Sequence, residues 1–234
     1  MTQKFFSGIF APLMHKLQKH ILNKLILNSS QRYADLKPKL VEGNLFMYHL
    51  KLLIQQDLIC KRKDGRYELT SQGKLYADGL SLESFQSRIQ PKIVTLIVCQ
   101  NEKNEYLLYL RKREPFLGSV GFPYGKIHLG ESIKTAAERE LVEKTGLSAK
   151  FAHRGDAYLT VFNGREFLSQ VFCHIFSGEE VRGKLKTNSS IGKCFYSKVE
   201  KIADEKFIPG FLDILKLVQK NSDGLFFEEF EYHI

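Results

Sequence analysis

Residues 125 to 147, GKIHLGESIKTAAERELVEKTGL, hold the chain's densest set of groups that could do chemistry together. The stretch reads as a loop feeding a helix. Gly125 and Gly130 bracket the loop, where glycine lets a ligand come close to the backbone. Ser132 suits the N-cap and Gly146 the C-terminal cap. Ile133, Ala137 and Leu141 recur every four residues and predict one apolar stripe, with Arg139, Glu140, Glu143 and Lys144 on the polar side. Carboxylates one turn apart share a helix face. That arrangement suits a hard divalent cation such as Mg²⁺, which takes oxygen ligands and usually arrives with phosphate.

This spacing resembles the Nudix box, G-x5-E-x7-R-E-U-x-E-E-x-G-U with U aliphatic. Gly125, Glu131, Arg139, Glu140, Leu141, Glu143, Gly146 and Leu147 match, and Lys144 stands where the pattern has a second glutamate. The resemblance implies that Glu140 and Glu143 are the retained ligands of Mg²⁺ or Mn²⁺ and the catalytic carboxylates. Gly125, Glu131 and Arg139 would be structural, with Glu131 and Arg139 paired to pin loop to helix. Such a metal bridges a diphosphate and helps activate water. Lys144 and Glu140 form an i,i+4 pair in the favourable orientation, so the ammonium would occupy the cation's place. The family often adds a glutamate from the loop before the last strand, but here that loop reads KLKTNSSIGK; Glu179 and Glu180 lie nearby and read as solvated. The segment GFPYGK stands where the family usually has Phe-Pro-Gly-Gly, and Tyr124 replaces a glycine. Arg111, Lys112 and Arg113 fall near the expected mouth. Arg111 and Arg113, with Tyr124, are the candidate ligand-binding residues; the arginines suit a diphosphate, and equally a charged strand edge.

The elements around the box follow from pattern. KIVTLIVC is a continuous apolar run and predicts a buried strand, with YLLYLRKRE returning beside it. AKFAHRGDAYLTVF and REFLSQVFCHIFSG predict two strands joined at Asn163-Gly164; a polar loop and the short strand CFYSKV follow. PGFLDILKLVQK predicts a helix with Phe211, Ile214 and Val218 on one side. The aromatic and acidic end, LFFEEFEYHI, suits either packing on its own domain or a partner's surface.

The first third is different. Of the net charge of +9 over 234 residues, residues 1 to 90 carry a surplus of seven, 14 Lys and Arg against 7 Asp and Glu. That asymmetry points to an acidic partner. HKLQKHILNKLILN predicts a helix with Leu17, Ile21, Leu22, Leu25 and Ile26 buried, QRYADLK a short one ended by Pro38, and EGNLFMYHLKLLIQQDL a third with a stripe of Leu45, Tyr48, Leu52 and Leu53. LICKRKDGRYELT predicts a hairpin about Asp64-Gly65, and SQGKLYADGLSLESF a last helix. The order is similar to bacterial winged helix-turn-helix regulators. The resemblance implies that Asn44, Tyr48, His49 and Lys51 face double-stranded DNA, with Lys61, Arg62, Lys63 and Arg66 as a wing against phosphates. The same elements also suit a packing or dimerisation module, and His49 by itself equally suits a cap or a packing role.

The expected fold class is therefore α+β: a winged helix-turn-helix over residues 1–88, then a Nudix α/β/α sandwich with a mixed sheet over 89–234, with Ser84 to Gln90 as linker. No apolar run approaches a membrane span, and the N-terminal residues lack a signal-peptide pattern. Four separated cysteines, Cys60, Cys99, Cys173 and Cys194, read as reduced thiols of a cytoplasmic protein. Three functions remain open: a regulator binding a nucleotide-type ligand with weakened or lost hydrolysis, an active diphosphate hydrolase, and a scaffold. The altered ligand set and the basic first third favour the regulator. Known regulators with this pairing carry the Nudix domain first, the reverse of this order. A homodimer follows by analogy with both domain types.

Overall fold

The computed structural model describes residues 14–81, 88–190, 192–220 and 224–234. The expected linker falls largely on residues 82–87, outside the described residues. So do the end of the helix expected through Phe85 and the N-terminal residues 1–13. The chain divides into two units, Met1–Ile89 and Gln90–Ile234.

In the first unit, α1 (Lys16–Leu27) starts at a capping box: His15 accepts from the Leu17 N–H and Gln18 accepts from the His15 N–H. The short α2 (Tyr33–Leu36) and α3 (Gly43–Gln55) follow. Ile21, Leu22 and Leu25 of α1 pack with Leu36 and with Phe46, Leu50 and Leu53 of α3. The expected stripe of α3 is therefore one residue out of phase at Leu45 and Tyr48, while Leu53 is buried as expected. Phe46, His49, Leu50 and Leu53 are buried, while Leu45 and Tyr48 are 47% and 58% exposed. Strands β1 (Ile59–Lys61) and β2 (Tyr67–Leu69) form the hairpin, with Cys60 opposite Glu68. Thr70 caps α4 (Ser71–Asp78) by accepting from the Gly73 N–H.

The second unit is built on a mixed sheet. Its strands are β3 (Lys92–Cys99), β4 (Tyr106–Arg111), β5 (Val120–Gly121) and β6 (Tyr124–Lys126), then helix α5 (Ile133–Thr145), β7 (Leu147–Asn163), β8 (Glu166–Gly183), β9 (Gly192–Ser197), helix α6 (Phe211–Lys220) and β10 (Phe226–His233). Five strands order as β10-β7-β8-β3-β6; β10 and β8 run parallel to their partners β7 and β3, and the other pairs are antiparallel. An antiparallel trio β5-β4-β9 completes the unit.

Alternation along β3 explains the two cores. Val94, Leu96 and Val98 join Phe211, Ile214 and Leu215 of α6. Ile97 and Cys99 join Ala137 and Leu141 of α5. One helix thus covers each face, as expected of the α/β/α arrangement. Two expectations are corrected and one open alternative is decided. Strand β4 does not return beside β3 but pairs with β5 and β9. Strand β8 runs on to Gly183, so Glu179 and Glu180 lie in a strand rather than a loop; Glu180 pairs with Lys150 and Arg182. The aromatic-acidic end packs on its own unit as β10, in register with β7 from Phe226 opposite Gly155 to His233 opposite Phe162. Among the described residues no helix is long and apolar enough to cross a membrane. All four cysteines are free thiols.

Candidate functional site

Helix α5 and strand β6 build the site together. Ser132 caps α5 by accepting from the Thr135 N–H at 3.1 Å, and Gly146 closes it at φ +72°. The buried side of α5 is Ala136, Ala137, Glu140, Leu141 and Thr145, while Ile133 is 39% exposed. Glu140 was expected on the polar side; it is 8% exposed. It can be buried because Gly125 leaves it room: a Cβ on Gly125 would lie 1.7 Å from the Glu140 carboxyl carbon. Gly125 is itself placed by pairing with Thr95 of β3.

Arg139 organises the carboxylates. Its Nε donates to Glu131 at 3.0 Å, its two terminal nitrogens reach Glu131 at 2.7 Å, Glu140 at 2.9 Å and Glu143 at 3.3 Å, and one also donates to the Lys126 carbonyl at 2.9 Å. Five contacts match the five N–H donors of a guanidinium. The bidentate Arg139 partner, joined by the His128 N–H, holds the Glu131 carboxyl down at about 2. The same bonds raise Arg139 above the ordinary arginine range. Glu131 and Arg139 are thus brought together as the box pattern implies, tying loop, strand and helix into one piece.

Lys144 completes the cluster. Its Nζ lies 3.0 Å from Glu140 Oε2, while Glu140 Oε1 takes Arg139. The ammonium sits 4.7 Å from the ring centre of Tyr124 and 5.6 Å from that of Tyr109. Burial pulls Lys144 below the usual lysine value, against Glu140, which favours its charge. The same Tyr124 ring carries Arg111, its guanidinium 5.4 Å from the centre. The two departures from the family pattern are therefore in contact: the tyrosine in the glycine's place gives the lysine in the glutamate's place an aromatic face.

A cavity of about 760 Å³ opens onto this cluster. That volume suits a small-molecule ligand. Glu140, Glu143, Lys144 and Tyr124 line it, together with Arg111 and Arg113. Arg111 is 7% exposed, and its Nε is buried without a hydrogen-bond partner. The alternative of an exposed charged edge does not hold for Arg111. Lys112 is not among the lining residues and donates to Asn188 and to the Ser189 carbonyl. Lys92, which the sequence reading missed, also lines the cavity. Burial, then the positive charges of Lys126, Arg111 and Arg113, pulls it below the usual lysine value. Strands of two separate sheets bring these cations together, so no local pattern could show it. Glu179 and Glu180 are not among the lining residues.

The donor set does not fit a divalent cation as it stands. Both oxygens of Glu140 are held by cations, Glu143 leans on Arg139, and an ammonium already sits 3.0 Å from Glu140. A second cation a few ångströms from Lys144 would meet repulsion on the order of several kcal/mol.

In the first unit, Asn44, Tyr48 and Lys51 lie exposed on α3, and Lys61, Arg62 and Lys63 are exposed on the hairpin; Arg66 is half-exposed. Arg62 also pairs with Glu68 at 3.3 Å. His49 is a correction. It is 7% exposed and stacks on His15 with ring centres 4.0 Å apart, because the shifted phase of α3 turns it inward. Burial, then His15, lowers its affinity for a proton.

The comparisons with known proteins agree with this architecture. The model of the NUDIX domain matches residues 90–215. An ADP-ribose pyrophosphatase of Saccharomyces cerevisiae is 32% identical over 123 residues, 48% of this chain and 52% of that protein. An ADP-ribose pyrophosphatase of Methanocaldococcus jannaschii is 28% identical over 120 residues, 49% of this chain and 68% of that protein. The chain thus spans about half the length of the yeast relative. The crystal structure of a MutT protein from Bacillus halodurans superposes with a TM-score of 0.51 at 26% identity, covering 61% of this chain and 90% of that one. The second unit, with its box helix tied to the loop by Arg139 and Glu140 packed over Gly125, makes this chain a member of the Nudix family.

Proposed function

We propose that the second unit binds a nucleoside-diphosphate ligand of the ADP-ribose type with little or no hydrolysis, and that the first unit is a winged helix-turn-helix that binds double-stranded DNA. The protein is then a ligand-responsive transcription regulator. The observation that carries this reading is Lys144, seated 3.0 Å from Glu140 in the wall of the cavity. A fixed ammonium there can meet a diphosphate oxygen directly, beside Arg111 and Arg113, without a metal between them. It cannot generate a hydroxide as a metal-bound water does. Two relatives that are ADP-ribose pyrophosphatases support the ligand class. The order of helices and hairpin in the first unit, with Asn44, Tyr48 and Lys51 exposed on α3 and Lys61 and Lys63 on the hairpin, supports DNA binding.

The second reading is an active hydrolase of such a compound, and the same two relatives favour it. It requires Lys144 to leave Glu140, which a four-carbon stem permits. The test is turnover by the purified full chain on ADP-ribose, nucleoside diphosphate sugars, dinucleotides and nucleoside triphosphates, with Mg²⁺ and then Mn²⁺. The regulator reading expects no turnover that Glu140→Gln abolishes. Metal-dependent turnover lost in that variant establishes the hydrolase instead.

A further inference from the structure

On the same mixed sheet, away from the box, His153, Asp156 and His174 bring three donor atoms within 4.8 Å of one another. We propose that they form a second, independent site for a late first-row divalent cation, with Zn²⁺ as its best occupant.

The backbone builds this cluster through an irregularity. His153 and Asp156 are three residues apart on β7, so a regular strand would point them to opposite faces. Here His153 lies opposite Phe176 and Gly155 opposite Ile175, leaving Arg154 as an extra residue between them. Such a bulge reverses the alternation. Asp156 then lies directly opposite His174 of β8, and all three side chains share one face. The bulge depends on Gly155, which holds φ +146°; a Cβ there would lie 2.3 Å from the Phe226 carbonyl oxygen of β10.

The ligand atoms already converge. A single oxygen, Asp156 Oδ1, lies 3.0 Å from His153 Nε2 and 2.8 Å from His174 Nδ1. Ligand atoms on a tetrahedral Zn²⁺ with bonds of about 2.0 Å stand about 3.3 Å apart, so two edges need to open by only a few tenths of an ångström. The third edge, no longer than 4.8 Å, closes by at most about 1.5 Å. Phe176 packs 5.2 Å from the His153 ring and Phe172 packs 5.1 Å from His174, so the imidazoles are held from the side. The side chains are 36%, 27% and 15% exposed for His153, Asp156 and His174, which leaves a fourth position open to water. Two imidazoles with one carboxylate suit Zn²⁺ and its late first-row neighbours rather than Mg²⁺ or Ca²⁺. The pairings Asp156–His174, His174–Thr95 and Thr95–Gly125 put two strands between Asp156 and the box glycine. The site therefore stands or falls apart from the diphosphate reading.

The test is calorimetric titration of Zn²⁺ into the metal-stripped full chain in excess Mg²⁺, which saturates any oxygen site. The expected result is one equivalent per chain, weakened by more than about tenfold in His174→Ala and in Asp156→Asn, since even an outer partner of a ligand is worth that much. Cys60→Ser, which removes the half-buried thiol, should leave it intact. In the wild type, one equivalent should move the ring resonances of His153 and His174 and leave those of His15 and His49 in place. This second readout needs no variant to fold. Absence of a stoichiometric equivalent, its survival in both ligand variants, its loss in Cys60→Ser, or shifts at His15 and His49 instead would each overturn the proposal.

Discussion

Lys144 Nζ sits 3.0 Å from Glu140 Oε2, one turn along the same helix, with the faces of Tyr124 and Tyr109 around it. The carboxylate that should be most available to a metal is thus neutralised by Lys144 on one oxygen and by Arg139 on the other. Replacing the ammonium by a carboxylate removes a like charge from the cation's position and adds an oxygen ligand. Lys144→Glu should therefore tighten Mg²⁺ binding by about tenfold or more, given repulsion on the order of several kcal/mol. Calorimetry with Mg²⁺ on both proteins checks this; equal affinities would mean that Lys144 is not the obstacle.

Tyr124 and Lys144 should act as a pair. Tyr124→Phe keeps the aromatic face and should leave stability close to that of the parent protein. Tyr124→Gly removes it and should cost about 0.5–2 kcal/mol through the lost contact to Lys144. In a double-mutant cycle with Lys144→Met, the two losses should not add. Urea unfolding of the four proteins measures the coupling, and simple additivity would separate the two residues.

The contact between these residues marks the limit of the sequence. Ser132 and Gly146 are legible because caps act over a few residues of local chain, and the Glu131–Arg139 pair follows from the resemblance to the box. Arg111, Lys92 and Tyr124 meet only after β3, β4 and β6 are placed. The pattern of α3 allows two phases, because Leu45 and Tyr48 offer hydrophobic surface as Phe46 and Leu50 do, and only packing against α1 chooses between them. The shared face of His153 and Asp156 depends on a bulge that no alternation pattern announces.

Gly125 should tolerate no side chain. A Cβ would meet the Glu140 carboxyl carbon at 1.7 Å, so one of the two must move. Gly125→Ala should destabilise the second unit by about 1–3 kcal/mol, the usual cost of overpacking. It should also push Lys144 away from Glu140. A thermal unfolding midpoint equal to that of the parent would show that Glu140 can swing out freely.

Acid should weaken the box through Glu131. Its folded value, about 2, lies below the ordinary glutamate value, so the pair with Arg139 contributes stability that is complete above the unfolded pKa. That contribution falls away as pH drops from about 5 towards 2. Glu131→Gln should be less stable than the parent at neutral pH and should close the gap on acidification. A gap that stays constant from neutral pH to pH 3 would contradict the assignment.

Lys61 and Lys63 are exposed on the hairpin. If each meets a phosphate, changing both to alanine should lower the slope of log affinity against log salt by about two, since each contact releases about one counterion. Titration of random-sequence duplex DNA at several salt concentrations reads this slope. An unchanged slope would remove the hairpin from the DNA-binding surface.

The most direct measurement is calorimetric titration of ADP-ribose into the full chain in EDTA, repeated with Mg²⁺. Lys144, Arg111 and Arg113 supply the positive charge themselves, so binding should be stoichiometric in EDTA, little changed by Mg²⁺, and weakened in Lys144→Met. Binding that appears only with the metal, or that Lys144→Met leaves intact, would contradict a lysine standing in the cation's place.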